Sequence, residues 1–566
     1  MEPPSEARDI LNPKLTRRGV WIAALVLFLL ALGLRLVGIG WGLPNDQRNQ
    51  SLHPDEQLIY LVGTQTPYFR PGFYNYGSLY FTAIHFANDA GMSYGWIPVG
   101  DDVPIAETTK AGLKTGRIVS AIAGAATVSI VFATLLLVTG SLGSLIGAFS
   151  MLLAPAHVVH SRFQTTDVIA TMLIALAAYL LIRAVQSDGS LQWKRISGMG
   201  MVIGLAAGTK YTGILLLIPA AIVFWKIKAD VKQYAMLLGA AIVGFLMATP
   251  GILLETMAFL RGFTYELGHS AEGHGLVFVD TPPGVVYHFL NSAEAFGMIP
   301  MVLGIVGLVW AAAARKPWAI VAASFFVVYF IVIGMAEVKF LRYVFPLLPF
   351  LALGLGYLAG RCHEGRGWKR VITGAAILFV VVGTGATSGA FTLTRLMTMQ
   401  DTRDESATWI REEAEHDATI GLVSDPWFYT PPFFPDIGLL ATDERLGAMA
   451  EYPHIVRYIA PDGEKKDWDM RLLESPPAYI VFSSFEFLDH DRLSEPNFVA
   501  FIDRMKVMYD FVAMFWDAEP ALAASPKSKV FDRSFLRVLM RERYPKTHDM
   551  MYIRPTICVF KLKSQP

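Results

Sequence analysis

The most chemically suggestive stretch is His53-Pro54-Asp55-Glu56-Gln57, two adjacent carboxylates shortly after the first long apolar run. A proline at a helix start and acids in its first turn suit the helix dipole, so the stretch reads as a well-capped interfacial helix carrying Leu58, Ile59, Leu61 and Val62. It also reads as a carboxylate held at the membrane–water boundary, where it takes a proton from an acceptor hydroxyl. Partial burial and a like charge beside it raise such a group toward the range a general base needs. Four further places add charge. Arg162 and Asp167 lie in His160–Asp167, where Asp167 either caps the next helix or joins the acidic group. Arg162 there either snorkels to a lipid or contacts a phosphate. Lys210 lies within Gly208-Thr209-Lys210-Tyr211-Thr212-Gly213, surrounded by apolar sequence, a depth at which an ionisable residue is a functional candidate. Its partner is either a phosphate or an internal carboxylate such as Asp55, Glu56 or Asp167. Arg342, in Glu337–Tyr343, offers a planar fork suited to phosphate oxygens or anchors the chain at the interface. His269 and His274, with Glu266 and Glu272 nearby, fit no zinc spacing, and their glycine-rich surroundings suit hydrogen bonding to a sugar or a phosphate better than a metal.

These residues are separated by apolar runs, and a helix needs about 20 apolar residues to cross a bilayer. Candidate spans are Val20–Val37, Ile118–Val138, Leu142–Val159, Val168–Ala184, the longer Gly198–Trp225, Ala235–Leu254, Gly297–Ala314, Trp318–Met335, Val344–Ala359 and Val371–Ala390. Lys14, Arg17 and Arg18 put the N-terminus in the cytoplasm. Lys194 and Arg195 then fall inside, and so must Lys226, Lys228 and Lys232. That works if Gly198–Trp225 enters and returns as a hairpin with Lys210 at its outer turn. Arg315, Lys316 and the Arg361, Arg366, Lys369, Arg370 cluster also fall inside. The expectation is about eleven crossings, residues 1–19 as a cytoplasmic N-terminus, the first run Val20–Val37 kept as an anchor, a bundle over 20–390 with outer loops 38–117 and 255–296, and an outer domain over 391–566. The aromatic run Tyr74–Tyr80 either anchors the interface or forms a wall for a sugar ring.

Composition agrees. Of 566 residues, 53% are hydrophobic and 17% charged, against about 25% charged in soluble domains. Lysines plus arginines equal aspartates plus glutamates at 48 each, so nothing favours a nucleic-acid partner. The two cysteines, Cys362 and Cys558, fall on opposite sides of the membrane and form no disulfide framework. Beyond Ala390, helical and strand-like runs alternate: Ser406–His416 and Asn497–Phe511 as helices, Thr419–Ser424, Tyr479–Ser483 and Thr556–Leu562 as strands. This reads as a small α/β domain. No nucleotide-binding loop or nucleophile elbow is present.

The ordered series His53-Pro54-Asp55-Glu56, Ser161-Arg162 with Asp167, Gly208-Thr209-Lys210-Tyr211-Thr212, Gly268-His269 with Gly273-His274, and Arg342-Tyr343 before Pro346 resembles the GT-C glycosyltransferases. The resemblance, over roughly residues 15–390, is to the branch of protein O-mannosyltransferases and aminoarabinose transferases. It implies a GT-C-like bundle and transfer of a sugar from a polyprenyl- or dolichyl-phosphate carrier, with inversion, to a protein, lipid or glycan acceptor on the extracytoplasmic face. It implies Asp55 as the catalytic carboxylate with Glu56 beside it, Asp167 as a second acidic position, and Lys210 and Arg342 on the donor phosphate. His53, Arg162, Tyr211, His269, His274 and Tyr343 complete the substrate-binding set, and no cofactor or metal is required. Short inner loops favour a prokaryotic plasma membrane.

Two other classes compete. A secondary transporter places its site at mid-bilayer and shows repeats, whereas the polar residues here gather in outer loops and no repeat is apparent. A membrane anchor with a non-catalytic outer domain makes Asp55 dispensable. Within the enzymatic class, a polymerase or ligase using a pyrophosphate-linked donor remains a neighbouring reading.

Overall fold

A computed structural model describes residues 16–187, 191–363, 374–379, 381–383, 389–415, 417–438, 447, 449–458, 463–516 and 548–564. Of the expected span Val371–Ala390, residues 371–373, 380 and 384–388 lie outside these, as do the basic residues Arg366, Lys369 and Arg370.

The membrane part runs α1 (Arg17–Leu36), α2 (Pro54–Gln65), α3 (Leu79–Tyr94), α4 (Ile105–Val138), α5 (Ser141–Leu152), α6 (Pro155–His160), α7 (Asp167–Val185) and α8 (Trp193–Ala207). A 3-10 turn, Tyr211–Leu216, leads into α9 (Leu217–Lys226). Then come α10 (Val231–Ala248), α11 (Gly251–Leu254), α12 (Thr256–Glu272), α13 (Gly284–Phe296), α14 (Met298–Ala313) and α15 (Pro317–Gly334). A second 3-10 turn, Leu341–Leu347, opens α16 (Leu348–His363), and α17 (Ala390–Leu396) leads out of the bundle.

Among the described residues, six helices are long and apolar enough to cross a membrane, and seven if α13 and α14, bent by 111°, count as one. The expected count of about eleven is larger because several apolar runs are divided. Pro155 splits Leu142–Val159 between α5 and α6, and the two halves of the expected Gly198–Trp225 hairpin are each shorter than a full span. A proline cannot continue the preceding hydrogen-bond ladder, and glycine does not favour it.

The division at Gly208–Lys210 reverses the chain. Helices α8 and α10 run parallel: Gly200 meets Leu237, Gly204 meets Ala241 and Phe245, and Gly208 meets Ala248. Two parallel neighbours joined by α9 require α9 to run back between them, which is the hairpin that the lysine pattern calls for. Small residues let these backbones touch, the usual device where lipid removes any hydrophobic drive between helices. Helices α14 and α16 repeat the arrangement, with Gly304 against Leu351 and Gly307 against Gly354.

The C-terminal part begins with α18 (Thr402–Glu413). It carries β1 (Ile420–Leu422), β2 (Ile455–Arg457), β3 (Tyr479–Ser483), α19 (Ser484–Leu493), α20 (Pro496–Met508), β4 (Tyr509–Phe515) and β5 (Ile557–Leu562). The sheet order is β2-β1-β3-β5-β4, with β1 parallel to β2 and β3 and β5 antiparallel to β3 and β4. Strand alternation sends Ile480, Phe482, Cys558 and Phe560 to a core with Phe498 and Phe501 of α20. Tyr479, Val481, Ile557 and Val559 go to a core with Ile410 of α18. The sheet is thus covered on both faces.

This domain is bolted to the first loop. Trp41 Nε1 donates to Asp401 at 3.1 Å, Arg48 pairs with Asp404 at 3.0 Å, and Arg403 donates to the Leu52 carbonyl at 3.4 Å. The docking carries residues 548–552 onto the bundle's polar end.

Candidate active site

Five helix ends and breaks converge at that end. Helix α2 starts with Pro54 at its first position, and the His53 ring Nδ1 accepts from the Asp55 backbone N–H at 3.2 Å. This cap fixes the turn that presents Asp55. Burial pushes the His53 imidazole down to about 4, so the ring is neutral. It lies between Phe163 and Tyr552, with centroids 4.5 and 4.8 Å away.

The structure brings Asp55, Asp167, Lys210 and Arg342 together. Arg342 is the hub: its Nη2 lies 3.4 Å from Asp55, its Nε 4.0 Å from Asp167 and its Nη1 3.5 Å from Asp549. Its backbone N–H also donates to Asp549 at 3.0 Å, and its guanidinium stacks on Phe340. Lys210 donates to Asp167 at 2.5 Å and sits 4.6 Å from the centre of the Tyr343 ring. Asp167 thus binds both cations. It is the first residue of α7 and does not cap it, since Thr166 stands at the cap position.

The three carboxylates differ in access. The Asp55 side chain is 29% exposed, Asp167 7% and Asp549 0%. A group that must receive a proton from an incoming hydroxyl has to be reachable, and of the three this favours Asp55.

Several residues expected in the site do other work. Glu56 is fully buried and goes to a different partner from Asp55: Arg117 grips it at 2.6 and 2.8 Å, Ser51 donates at 2.5 Å and the Gln164 backbone N–H at 2.6 Å. Burial pushes its carboxyl up, but Arg117 outweighs this and holds it below the usual range. With its oxygens so engaged, Glu56 ties α2 to α4. Arg162 is also sealed. It donates to the carbonyls of Val37 and Leu34 and to Thr394 Oγ1, each at 2.7 Å, because burial next to helix ends offers it unsatisfied carbonyls in place of a phosphate. Tyr211 donates to the carbonyls of Tyr74 and Tyr76, at 2.8 and 3.1 Å, and so pins the outer loop onto the α8–α9 break. Within the aromatic run, Tyr74 donates to Glu255 at 2.6 Å and buried Tyr80 to the Gly116 carbonyl at 2.9 Å, while half-buried Tyr76 lies near Asp55 and Arg342.

His269 and His274 stand at the margin. Their rings meet edge to face at 5.3 Å, and His274 packs on Phe340, the ring under Arg342. Burial lowers both imidazoles. Among the described residues, no group of three His, Cys, Asp or Glu side chains is placed to hold a metal.

Sequence reasoning missed Arg117 and Asp549, and weighed Glu266 only as a neighbour of the histidines. Arg117 sits at the head of the apolar run Ile118–Val138, and an ionisable residue there demands a partner. Glu266 of α12 faces the same charges, and burial pushes its carboxyl up to about 6. Asp549 sits in a short polar run with no periodicity, and nothing local marks it.

Glu56→Gln tests the structural assignment. Removing one partner of a buried pair costs about 3–5 kcal/mol, so this variant in detergent melts well below the parent protein. A melting temperature equal to the parent's would refute the clamp.

Residues 108–253 match the family described as dolichyl-phosphate-mannose-protein mannosyltransferase. That stretch includes Arg162, Asp167 and Lys210. Among solved structures, ArnT from Cupriavidus metallidurans bound to undecaprenyl phosphate is 14% identical, covers 96% of this chain and 98% of its own, and superposes with a TM-score of 0.51. The same protein in the apo state, also 14% identical, covers 89% and 99% with a TM-score of 0.52. The oligosaccharyltransferase AglB from Archaeoglobus fulgidus, in complex with an inhibitory peptide and a dolichol-phosphate, is 12% identical over 90% of this chain and 75% of its own, with a TM-score of 0.48. No curated protein matches the chain in sequence. Taken together, the chain shares the fold of ArnT, and its residues 108–253 are similar to the dolichyl-phosphate-mannose-protein mannosyltransferase family.

Proposed function

We propose that the protein transfers a sugar from a polyprenyl- or dolichyl-phosphate carrier to a hydroxyl acceptor, with inversion, at the end of the bundle where Asp55, Lys210 and Arg342 meet. The observation that carries this reading is Arg342 held between three carboxylates of which only Asp55 is open to an incoming molecule.

The chemistry requires little more. A phosphodiester leaves well once positive charge meets its developing dianion, and preorganised cations in a dry cleft supply that without reorganisation. Arg342 and Lys210 provide the charge, so no metal is needed. Asp55 takes the acceptor's proton as the acceptor oxygen bonds to the anomeric carbon. The bond from that carbon to the phosphate oxygen breaks on the opposite face, and the carrier departs as its phosphate. Alignment of donor and acceptor is worth as much as the base, since it turns a two-body encounter into an intramolecular step. The face is extracytoplasmic, with the N-terminus inside, in keeping with the lysine and arginine distribution.

The test is reconstitution with labelled polyprenyl-phosphate sugars and a panel of acceptors, together with mass spectrometry of glycans and lipid-linked sugars in a deletion strain. Accumulation of one lipid-linked sugar and loss of one glycoconjugate are expected. An unchanged profile in both pools would refute the reading.

A further inference from the structure

Arg342 is already neutralised when the site is empty, so a phosphate has to displace something. Two cations, Lys210 and Arg342, face three carboxylates, Asp55, Asp167 and Asp549, and an arriving phosphodiester adds another negative charge. In a site so shielded from water that excess is expensive, and the cheapest relief is to neutralise one carboxylate with a proton.

Asp549 has the geometry for that. It reaches the site from the C-terminal part, is fully buried, and accepts from the Arg342 backbone N–H through Oδ2, while its Oδ1 has no hydrogen-bond partner. An oxygen in that position can carry a proton without breaking an existing bond. On the other side, the buried Arg342 Nη1 is 3.5 Å from Asp549 yet makes no hydrogen bond, so a donor waits unused. A buried guanidinium N–H without a hydrogen bond is where a phosphate oxygen fits.

We propose that Asp549 is a displaceable counter-ion and positioning residue: it holds Arg342 while the site is empty and takes a proton from solvent as the phosphodiester arrives. The inference rests on the phosphate-binding reading above. It makes the C-terminal domain part of the donor site. Burial, against the opposing pull of Arg342, already raises the Asp549 carboxyl to about 6, and an added anion raises it further. The groups facing it are Arg342, Asp167 and Asp55 from the bundle, Tyr287 from α13, Tyr343, and His548 and Tyr552 from its own segment. Burial drives His548 down to about 3, so it stays neutral. Glu266, also near 6, is the other group that titrates in this window.

The sign follows. If binding takes up a proton, affinity rises as pH falls and levels off below about pH 6, where Asp549 is protonated beforehand. One linked proton changes affinity by up to about tenfold per pH unit. The probe is the methyl ester of undecaprenyl phosphate, a diester with one charge throughout, titrated into the full-length protein in detergent at pH 8 and pH 6. The parent protein should bind about tenfold tighter at pH 6. Asp549→Asn keeps an acceptor for the Arg342 backbone N–H, so it should bind tightly at both values, within twofold. Glu266→Gln should keep the pH dependence. Weaker binding by Asp549→Asn at pH 8, or a pH dependence that survives in it, would overturn the inference. So would parent-protein binding that is flat with pH, which leaves the phosphate reading standing. No binding of the ester by the parent protein would overturn both.

Discussion

Asp55→Asn should lower turnover by about three orders of magnitude while the protein folds and binds the donor as before. General-base catalysis contributes roughly 10²- to 10⁴-fold, and the amide cannot accept the acceptor's proton. The rest of the environment survives the change. The cap on α2 uses the residue's backbone N–H to His53, which substitution leaves alone. Lys210 keeps Asp167, and Arg342 keeps Asp167 and Asp549. Losing one negative charge beside Arg342 should, if anything, tighten phosphate binding. The signature is therefore a split: kcat collapses, donor affinity holds or improves, and the melting temperature stays put. Glu56→Gln gives the opposite pattern, instability first. Neighbours in sequence thus separate cleanly by experiment. If Asp55→Asn keeps more than a tenth of the parent's transfer rate, Asp55 is not the base.

That separation also marks where sequence stops being informative. The apolar runs were legible because a bilayer demands about 20 apolar residues per crossing. The α8–α9 hairpin was legible because three lysines had to return to one side. Asp55, Lys210 and Arg342 were legible as ionisable groups at the edges of apolar sequence, where a charge without a task is costly. What sequence did not hold is which charge meets which. Glu56 looks the same as Asp55 on paper, and only the arrival of Arg117 from α4 commits it to structure. Arg162 had two outlets at an interface, a lipid phosphate or bare helix carbonyls, and the packing of α1 and α17 against α6 selected the second.

The C-terminal part shows the same division. Its strands were readable as short β-rich apolar runs: Tyr479–Ser483 forms as expected and Thr556–Leu562 begins one residue late, at Ile557. The helix expected over Asn497–Phe511 ends at Met508, and Tyr509–Phe511 joins β4 instead, because pairing with β5 outweighs helical spacing. The delivery of Asp549 to Arg342 has no local signature. It depends on the Trp41–Asp401 and Arg48–Asp404 contacts that seat one domain on the other.

Arg342→Lys should reduce kcat/KM by about 10²-fold with little change in stability. The substitution keeps the positive charge and the backbone N–H that Asp549 accepts. It removes the planar fork that lets one side chain address Asp55, Asp167 and Asp549 at once and still hold an unused N–H toward the donor. A charge-assisted hydrogen bond is worth about 1.5–3 kcal/mol, and each 1.4 kcal/mol is about tenfold, so losing one such bond spans roughly 10- to 100-fold. Arg342→Ala should be worse in two ways. It removes the charge that stabilises the leaving phosphate, and it strands Asp549, fully buried, with no cation. A drop in melting temperature is then expected as well, and it should be relieved in the Arg342→Ala/Asp549→Asn double variant, where no buried carboxylate is left unpaired. Activity should not return in that double variant, because the phosphate still lacks its fork. Arg342→Lys within threefold of the parent protein would mean that the fork does not touch the donor. Activity restored along with stability in the double variant would reduce Arg342 to a structural partner of Asp549.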